Sequence, residues 1–186
     1  MALRSSASNP LRIDFVRAGT ASGRIGMTFC PGKRQRASMT GGWERDLGTD
    51  LDALSEWGAR VLVSLMEPEE LRAMGVPPEE LAREAATRGI EWVNLPIVDG
   101  SIPSEASLEQ WRSLAPSLRD LLEEGGSVVF HCLGGLGRTG TMAACLLIES
   151  GLAPADAIAA VRAARPGTIE NASQEEFVLR YQRVTR

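Results

Sequence analysis

Cysteine is scarce in this chain of 186 residues, with Cys30, Cys132 and Cys145 its only three. An odd number at wide spacing excludes a disulfide framework and points to a reducing, cytoplasmic compartment. Long apolar runs are missing as well. No stretch approaches a membrane span, and residues 1–20 lack the apolar core of a signal peptide, so no membrane association is expected. A basic excess is also absent. The net charge is −4, which gives no support to a general nucleic-acid or anionic-membrane surface. There is no internal repeat and no low-complexity segment. What is present is ordinary globular composition, 44% hydrophobic and 24% charged, long enough for one domain with a sizeable core.

Within it lies the run His131-Cys132-Leu133-Gly134-Gly135-Leu136-Gly137-Arg138-Thr139. Ser127 to Phe130 reads as a buried strand and Thr139 to Ile148 as an apolar helix. The turn between them therefore aims the backbone N–H groups of Leu133, Gly134, Gly135, Leu136 and Gly137 into one concavity at a helix N-terminus. A dianionic phosphate fits such a nest, and Arg138 can grip two of its oxygens with a planar fork. The same surroundings activate Cys132. A free thiol titrates near ~8.5, and helix N-termini and nearby cations lower that to roughly 3.5–7.5. Cys132 is therefore expected as a thiolate beneath the phosphorus atom it attacks. His131, the chain's single histidine, is read as an orienting partner for the loop and not as a base. Thr139 is expected to donate a hydrogen bond to the sulfur. A buried cysteine otherwise packs as a small hydrophobe, but the His, Gly, Arg and Thr around this one outweigh that reading.

Along the rest of the chain, residues 1–22 read as a polar N-terminal extension and 23–186 as the catalytic domain. Ile25 to Phe29 is a first strand, ended by Cys30-Pro31-Gly32. Leu47, Leu51, Leu54 and Trp57 recur at helical spacing, closed by Gly58. Val61 to Leu65 and Ile90 to Ile97 are strands, with short helices from Pro68 and Pro77 between them. Ser107 with Gln110, and Ser173 with Glu176, suggest capping boxes for helices through Glu123 and Tyr181, and a further helix runs from Pro154 to Arg165. Strands alternating with helices predict an α/β fold with a single, mostly parallel central sheet and helices on both faces. Ligands on such sheets sit at the carboxyl ends of strands, where Cys132 and Asp99 both fall.

Cleaving a phosphate ester needs a proton for the departing oxygen. Asp99 is the candidate donor, in a Gly/Ser/Pro loop that can close over the substrate and expel water. As an acid it protonates the leaving group. As a carboxylate it then activates the water that hydrolyses a cysteinyl-phosphate. Asp-Gly also favours an ordinary turn, so the residues alone leave both readings open. Asp50, Asp52, Asp120 and Asp156 fall on predicted polar helix faces and are weaker candidates.

The run His131 to Gly140 resembles the signature of the cysteine-dependent protein-tyrosine phosphatases, in the dual-specificity branch related to the cyclin-dependent kinase-associated phosphatase. Leu95-Pro96-Ile97-Val98-Asp99-Gly100 is similar to that group's acid-bearing segment. Phe29 to Lys33 and Gly167 to Glu170 also match. The resemblance implies a phosphatase domain with no metal or other cofactor, hydrolysing phosphotyrosine and, in the dual-specificity mode, phosphoserine or phosphothreonine on a protein or peptide. It implies a phosphocysteine intermediate, with Cys132, Arg138 and Asp99 as working residues. The family often has a glutamine where Glu170 stands, to position the second-step water. Here that station is left to Gln174 or Glu170. The acid loop also lacks the tryptophan of the larger tyrosine phosphatases.

Two rival readings fit the residues less well. A phosphatase of phosphoinositides or other small phosphomonoesters would carry lysines inside the loop, whereas Leu133 to Gly137 is uncharged. A phosphate-binding module without catalysis would lack the Cys, the Arg or the acid, and all three are present. Lys33, Arg34 and Arg36 read as a solvated basic loop, with a flank of the substrate entrance as the alternative. Cys30 reads as a packed strand-end thiol, with trapping of an oxidised Cys132 as its alternative. Substrate preference and oligomeric state stay open at this level.

Overall fold

The computed structural model describes residues 3–18, 22–35 and 41–184. Five strands form the central sheet: β1 (Asp14–Arg17), β2 (Arg24–Phe29), β5 (Ala59–Ser64), β6 (Glu91–Asn94) and β7 (Ser127–Cys132), in the order β1-β2-β7-β5-β6. All pairings are parallel except that of β1 with β2. β3 (Arg34–Gln35) and β4 (Trp43–Glu44) make a separate two-stranded ribbon. The helices are α1 (Leu47–Trp57), α2 (Pro68–Ala73), α3 (Pro78–Ala86), α4 (Glu105–Glu123), α5 (Gly137–Glu149), α6 (Pro154–Ala164) and α7 (Ala172–Arg180). None of the described helices is long and apolar enough to cross a membrane.

β7 is central and buried at every residue, as expected for a parallel strand covered on both faces. Its two faces are closed by different helices. Trp111 of α4 lies 6.2 Å from the Phe130 ring. Trp57 of α1 and the Val129 side chain approach the same point above Gly26. Val129 and Phe130 are consecutive in a strand and so point to opposite faces. Helix α5 is buried along its whole length, which follows from its apolar sequence. It runs directly from the strand–turn–helix unit into the core.

Three expectations change. The sheet begins inside the segment read as an extension, because Asp14 to Arg17 pairs antiparallel with β2. The strand expected over Ile90 to Ile97 ends its ladder at Asn94, two residues before Pro96, which has no N–H to give. Leu95 and Ile97 still donate to Ser64 O and Leu65 O at 2.9 and 3.1 Å, and so lead the chain toward Asp99. Both capping boxes shift. Ser104 caps α4 by accepting from Ser107 N, and Asn171 caps α7 by accepting from Gln174 N. Ser107 instead donates its hydroxyl to Pro96 O at 2.7 Å.

Candidate active site

The loop from Cys132 to Arg138 is held from outside by its carbonyls. Leu133 O accepts from Lys33 Nζ at 3.1 Å, and Arg165 donates to Gly135 O at 2.6 Å and Gly134 O at 3.2 Å. Leu136 O accepts from Gly140 N, and Gly137 O from Thr141 Oγ1, both at 2.8 Å. With its carbonyls engaged by neighbouring side chains and by α5, the loop has the form expected of an anion nest. Gly135 N donates to Cys132 Sγ at 3.2 Å, so one of the loop's N–H groups is aimed at the sulfur. Only glycine serves at position 135. Its φ is +73°, and a Cβ there would collide with Thr28 O.

Arg138 is buried and pinned. Its Nη1 donates to Glu70 Oε2 at 2.7 Å and Ile97 O at 2.9 Å, and its Nη2 to Glu70 Oε1 at 3.1 Å. Burial works against the charge, but the Glu70 hydrogen bonds and the Cys132, Glu70 and Asp99 charges hold the guanidinium above its ordinary pKa. Its Nε is buried with no hydrogen-bond partner among the described residues. Asp99 Oδ1 lies 2.8 Å from Arg138 Nη2, while its side chain is 72% exposed. The sequence-predicted acid and anion binder therefore meet, one on an exposed loop and one in the core.

The remaining site residues divide. Thr139 follows Arg138 at the start of α5, but its Oγ1 is buried with no hydrogen-bond partner among the described residues, the Cys132 sulfur included. The Gly135 N–H is the donor instead. His131 is fully buried, and burial takes its pKa down to about 3. Its Nε2 is bonded to Ser64 Oγ, which accepts from Trp92 Nε1 at 2.7 Å. Burial keeps the imidazole neutral in this network. The pair ties β7 to β5 at the residue before Cys132.

Glu170 and Gln174 both reach the loop. Glu170 Oε2 accepts from Gly137 N at 2.8 Å, and Gln174 Oε1 accepts from Glu170 N at 2.9 Å. The two side chains fill the space a Cβ on Gly137 would need. Ile169, the residue before Glu170, has φ 58°. A β-branched residue pays on the order of 1–3 kcal/mol for that conformation, a strain typical of functional sites.

Lys33 departs from its solvated reading. It is buried between the Phe29 and Trp43 rings, 4.8 and 4.7 Å from their centroids. Arg34 is exposed in β3, and Arg36 lies outside the described residues. Cys30 is buried, and burial pushes its thiol up to about 12, so it is a poor thiolate for trapping Cys132. Burial raises Cys145 as well. Sequence reasoning missed Glu70, Ser64 and Arg165. Glu70 carried a signal only as an acidic residue in the first turn of α2, which says nothing of Arg138.

A family model described as "Polymorphic toxin system, DSP-PTPase phosphatase" matches residues 38–152. Human protein tyrosine phosphatase type IVA 3 is 33% identical over 135 residues, covering 73% of this chain and 71% of that protein. Among solved structures, the kinase-associated phosphatase, with its catalytic-site cysteine replaced by serine, has a TM-score of 0.78 at 26% identity. The match covers 91% of this chain and 93% of that one. Tk-PTP in its active form has a TM-score of 0.63 at 31% identity, with 87% and 94% covered.

Proposed function

The chain belongs to the dual-specificity branch of the cysteine-dependent protein-tyrosine phosphatases and is a protein phosphatase, and from that premise we propose how its residues divide the reaction. The Cys132 thiolate attacks phosphorus. The N–H groups of Leu133 to Gly137 hold the phosphoryl oxygens, with Arg138 bidentate through Nε and Nη2. Asp99 gives its proton to the departing oxygen as the P–O bond breaks and the S–P bond forms. In the second step the Asp99 carboxylate takes a proton from water as that water attacks phosphorus. The S–P bond breaks and the thiolate returns. Glu170 and Gln174, beside Gly137, are the groups that orient this water.

One observation carries the assignment. The Nε–H of Arg138 is a buried donor with no partner among the described residues, on a guanidinium that feels the charge of Cys132, whose sulfur accepts from Gly135 N. A buried donor left unmade costs ~1–3 kcal/mol, and a phosphate oxygen satisfies it with a charge-assisted bond. The uncharged side chains of Leu133 to Gly137 fit a substrate with one phosphate in reach, as on phosphotyrosine or phosphoserine. The three cysteines are free and buried, which supports a reducing compartment such as the cytoplasm.

The test is Cys132→Ser. Turnover of para-nitrophenyl phosphate and phosphopeptides is expected to vanish while phosphate binding, measured by calorimetry, persists. Activity within tenfold of wild type would remove Cys132 from the mechanism.

A further inference from the structure

The Gly137 N–H is the last amide of the loop before Arg138, and Glu170 Oε2 takes it at 2.8 Å. Arg138 Nη2 holds a second carboxylate, Asp99 Oδ1, at 2.8 Å. Two anion-binding donors of the loop thus carry the chain's own carboxylates. They are held differently. Both side chains are exposed, but the backbone that carries Glu170 is fixed by its surroundings. Ile169 takes the left-handed conformation at φ 58° and donates its N–H to Leu136 O at 3.5 Å. Arg162 donates to the carbonyls of Thr168 and Ile169 at 3.3 and 3.2 Å. Gln174 accepts from the Glu170 N–H. Gly137 leaves the space that the carboxylate enters.

We propose that Glu170 is an internal competitor for the phosphate subsite at Gly137, and that it sets how tightly the loop holds phosphate. It acts in two ways. A phosphoryl oxygen must displace it to reach the Gly137 N–H. Once displaced, its negative charge remains within a few ångströms of a phosphate dianion, closer than the Debye length, so solvent and salt weaken the repulsion without removing it. The consequence is weak retention of inorganic phosphate and rapid release of product. Substrate binding then leans on contacts outside the loop. This role rests on the reading of the loop as a phosphate cradle.

The test measures inorganic phosphate binding by calorimetry in three proteins: Cys132→Ser, Cys132→Ser with Glu170→Gln, and Cys132→Ser with Glu170→Ala. The glutamine keeps the shape and an acceptor for Gly137 N–H but not the charge, and the alanine removes the competitor outright. Both double variants are expected to bind phosphate at least tenfold more tightly than Cys132→Ser. In the turnover-competent protein, Glu170→Gln is expected to lower the inhibition constant of phosphate by a similar factor. Unchanged or weaker phosphate binding in both double variants overturns the inference while leaving the cradle intact. No phosphate binding by Cys132→Ser itself overturns the cradle reading, and the inference with it.

Discussion

The loop that carries Cys132 and the loop that carries Asp99 both leave the carboxyl ends of parallel strands, yet they are held to very different extents. In the first, every carbonyl from Leu133 to Gly137 has a donor, two of them shared by Arg165 and one taken by Lys33. In the second, Val98 to Ile102 are all exposed. Two side-chain donors, Asn171 Nδ2 on Gly100 O at 2.9 Å and Gln174 Nε2 on Ser101 O at 3.4 Å, tie it to α7. The difference fits the roles proposed for the two loops. An anion binder acts by being oriented before the charge develops, so its dipoles must not reorganise. An acid must approach the leaving oxygen, exclude water and then withdraw to let product out.

The largest effect expected from breaking this contrast lies in the exposed loop. Asp99→Asn removes the proton donor and should cost roughly 10²–10⁴ in kcat for a phosphoserine peptide. The cost should be much smaller for para-nitrophenyl phosphate, whose leaving group departs without a proton. Equal losses on the two substrates would make Asp99 a structural partner of Arg138 and place its loop with the rigid one.

In the rigid loop, Arg165→Met removes the donors to Gly134 and Gly135 and the ion pair with Asp14. Misplacing a reacting group by about 1 Å can cost ~10²-fold, so a loss of roughly 10- to 100-fold is expected on both substrates alike. KM should rise as kcat falls. A loss confined to the phosphoserine peptide would mean that Arg165 acts through the acid and not through the cradle.

The same contrast explains what could be read from the sequence. The nucleophile loop was legible because its chemistry is contiguous. Cysteine, glycines and arginine lie within one turn, and the apolar runs on either side declare the strand and helix. The residues that brace it were not. Glu70 meets Arg138 across 68 residues, Lys33 meets Leu133 across 100, and Ser64 meets His131 across 67. No local pattern encodes such pairings. Asp99 stood between these cases, since its loop was visible from Gly, Ser and Pro but its role came from the resemblance. The caps erred because a Ser followed by Gln or Glu three residues on also occurs inside the first turn of a helix, where Ser107 and Ser173 both lie. Ser107 was already committed to Pro96 O, and Asn171, which carries both an acceptor and a donor, was overlooked at the start of α7. Thr139 shows a different failure. Its position was read correctly, but a hydroxyl's direction depends on backbone geometry that composition does not reveal.

The smallest effect comes from the tie between the two regions. Asn171 does two jobs with one amide: Oδ1 accepts from Gln174 N to cap α7, and Nδ2 donates to Gly100 O in the acid loop, each at 2.9 Å. Asn171→Asp separates them, because aspartate caps a helix about as well as asparagine but has no N–H to give. Thermal stability should therefore stay close to wild type. The acid loop loses one hydrogen bond, worth about 1 kcal/mol, which is roughly fivefold in the population that presents Asp99 correctly. We expect kcat on a phosphoserine peptide to fall by about that factor, with para-nitrophenyl phosphate little affected. In an Asp99→Asn background the same substitution should cost nothing further, since the two changes act on one step. A loss that survives in that background, or that falls equally on both substrates, would show that Asn171 supports the fold near α7 and does not hold the acid in register.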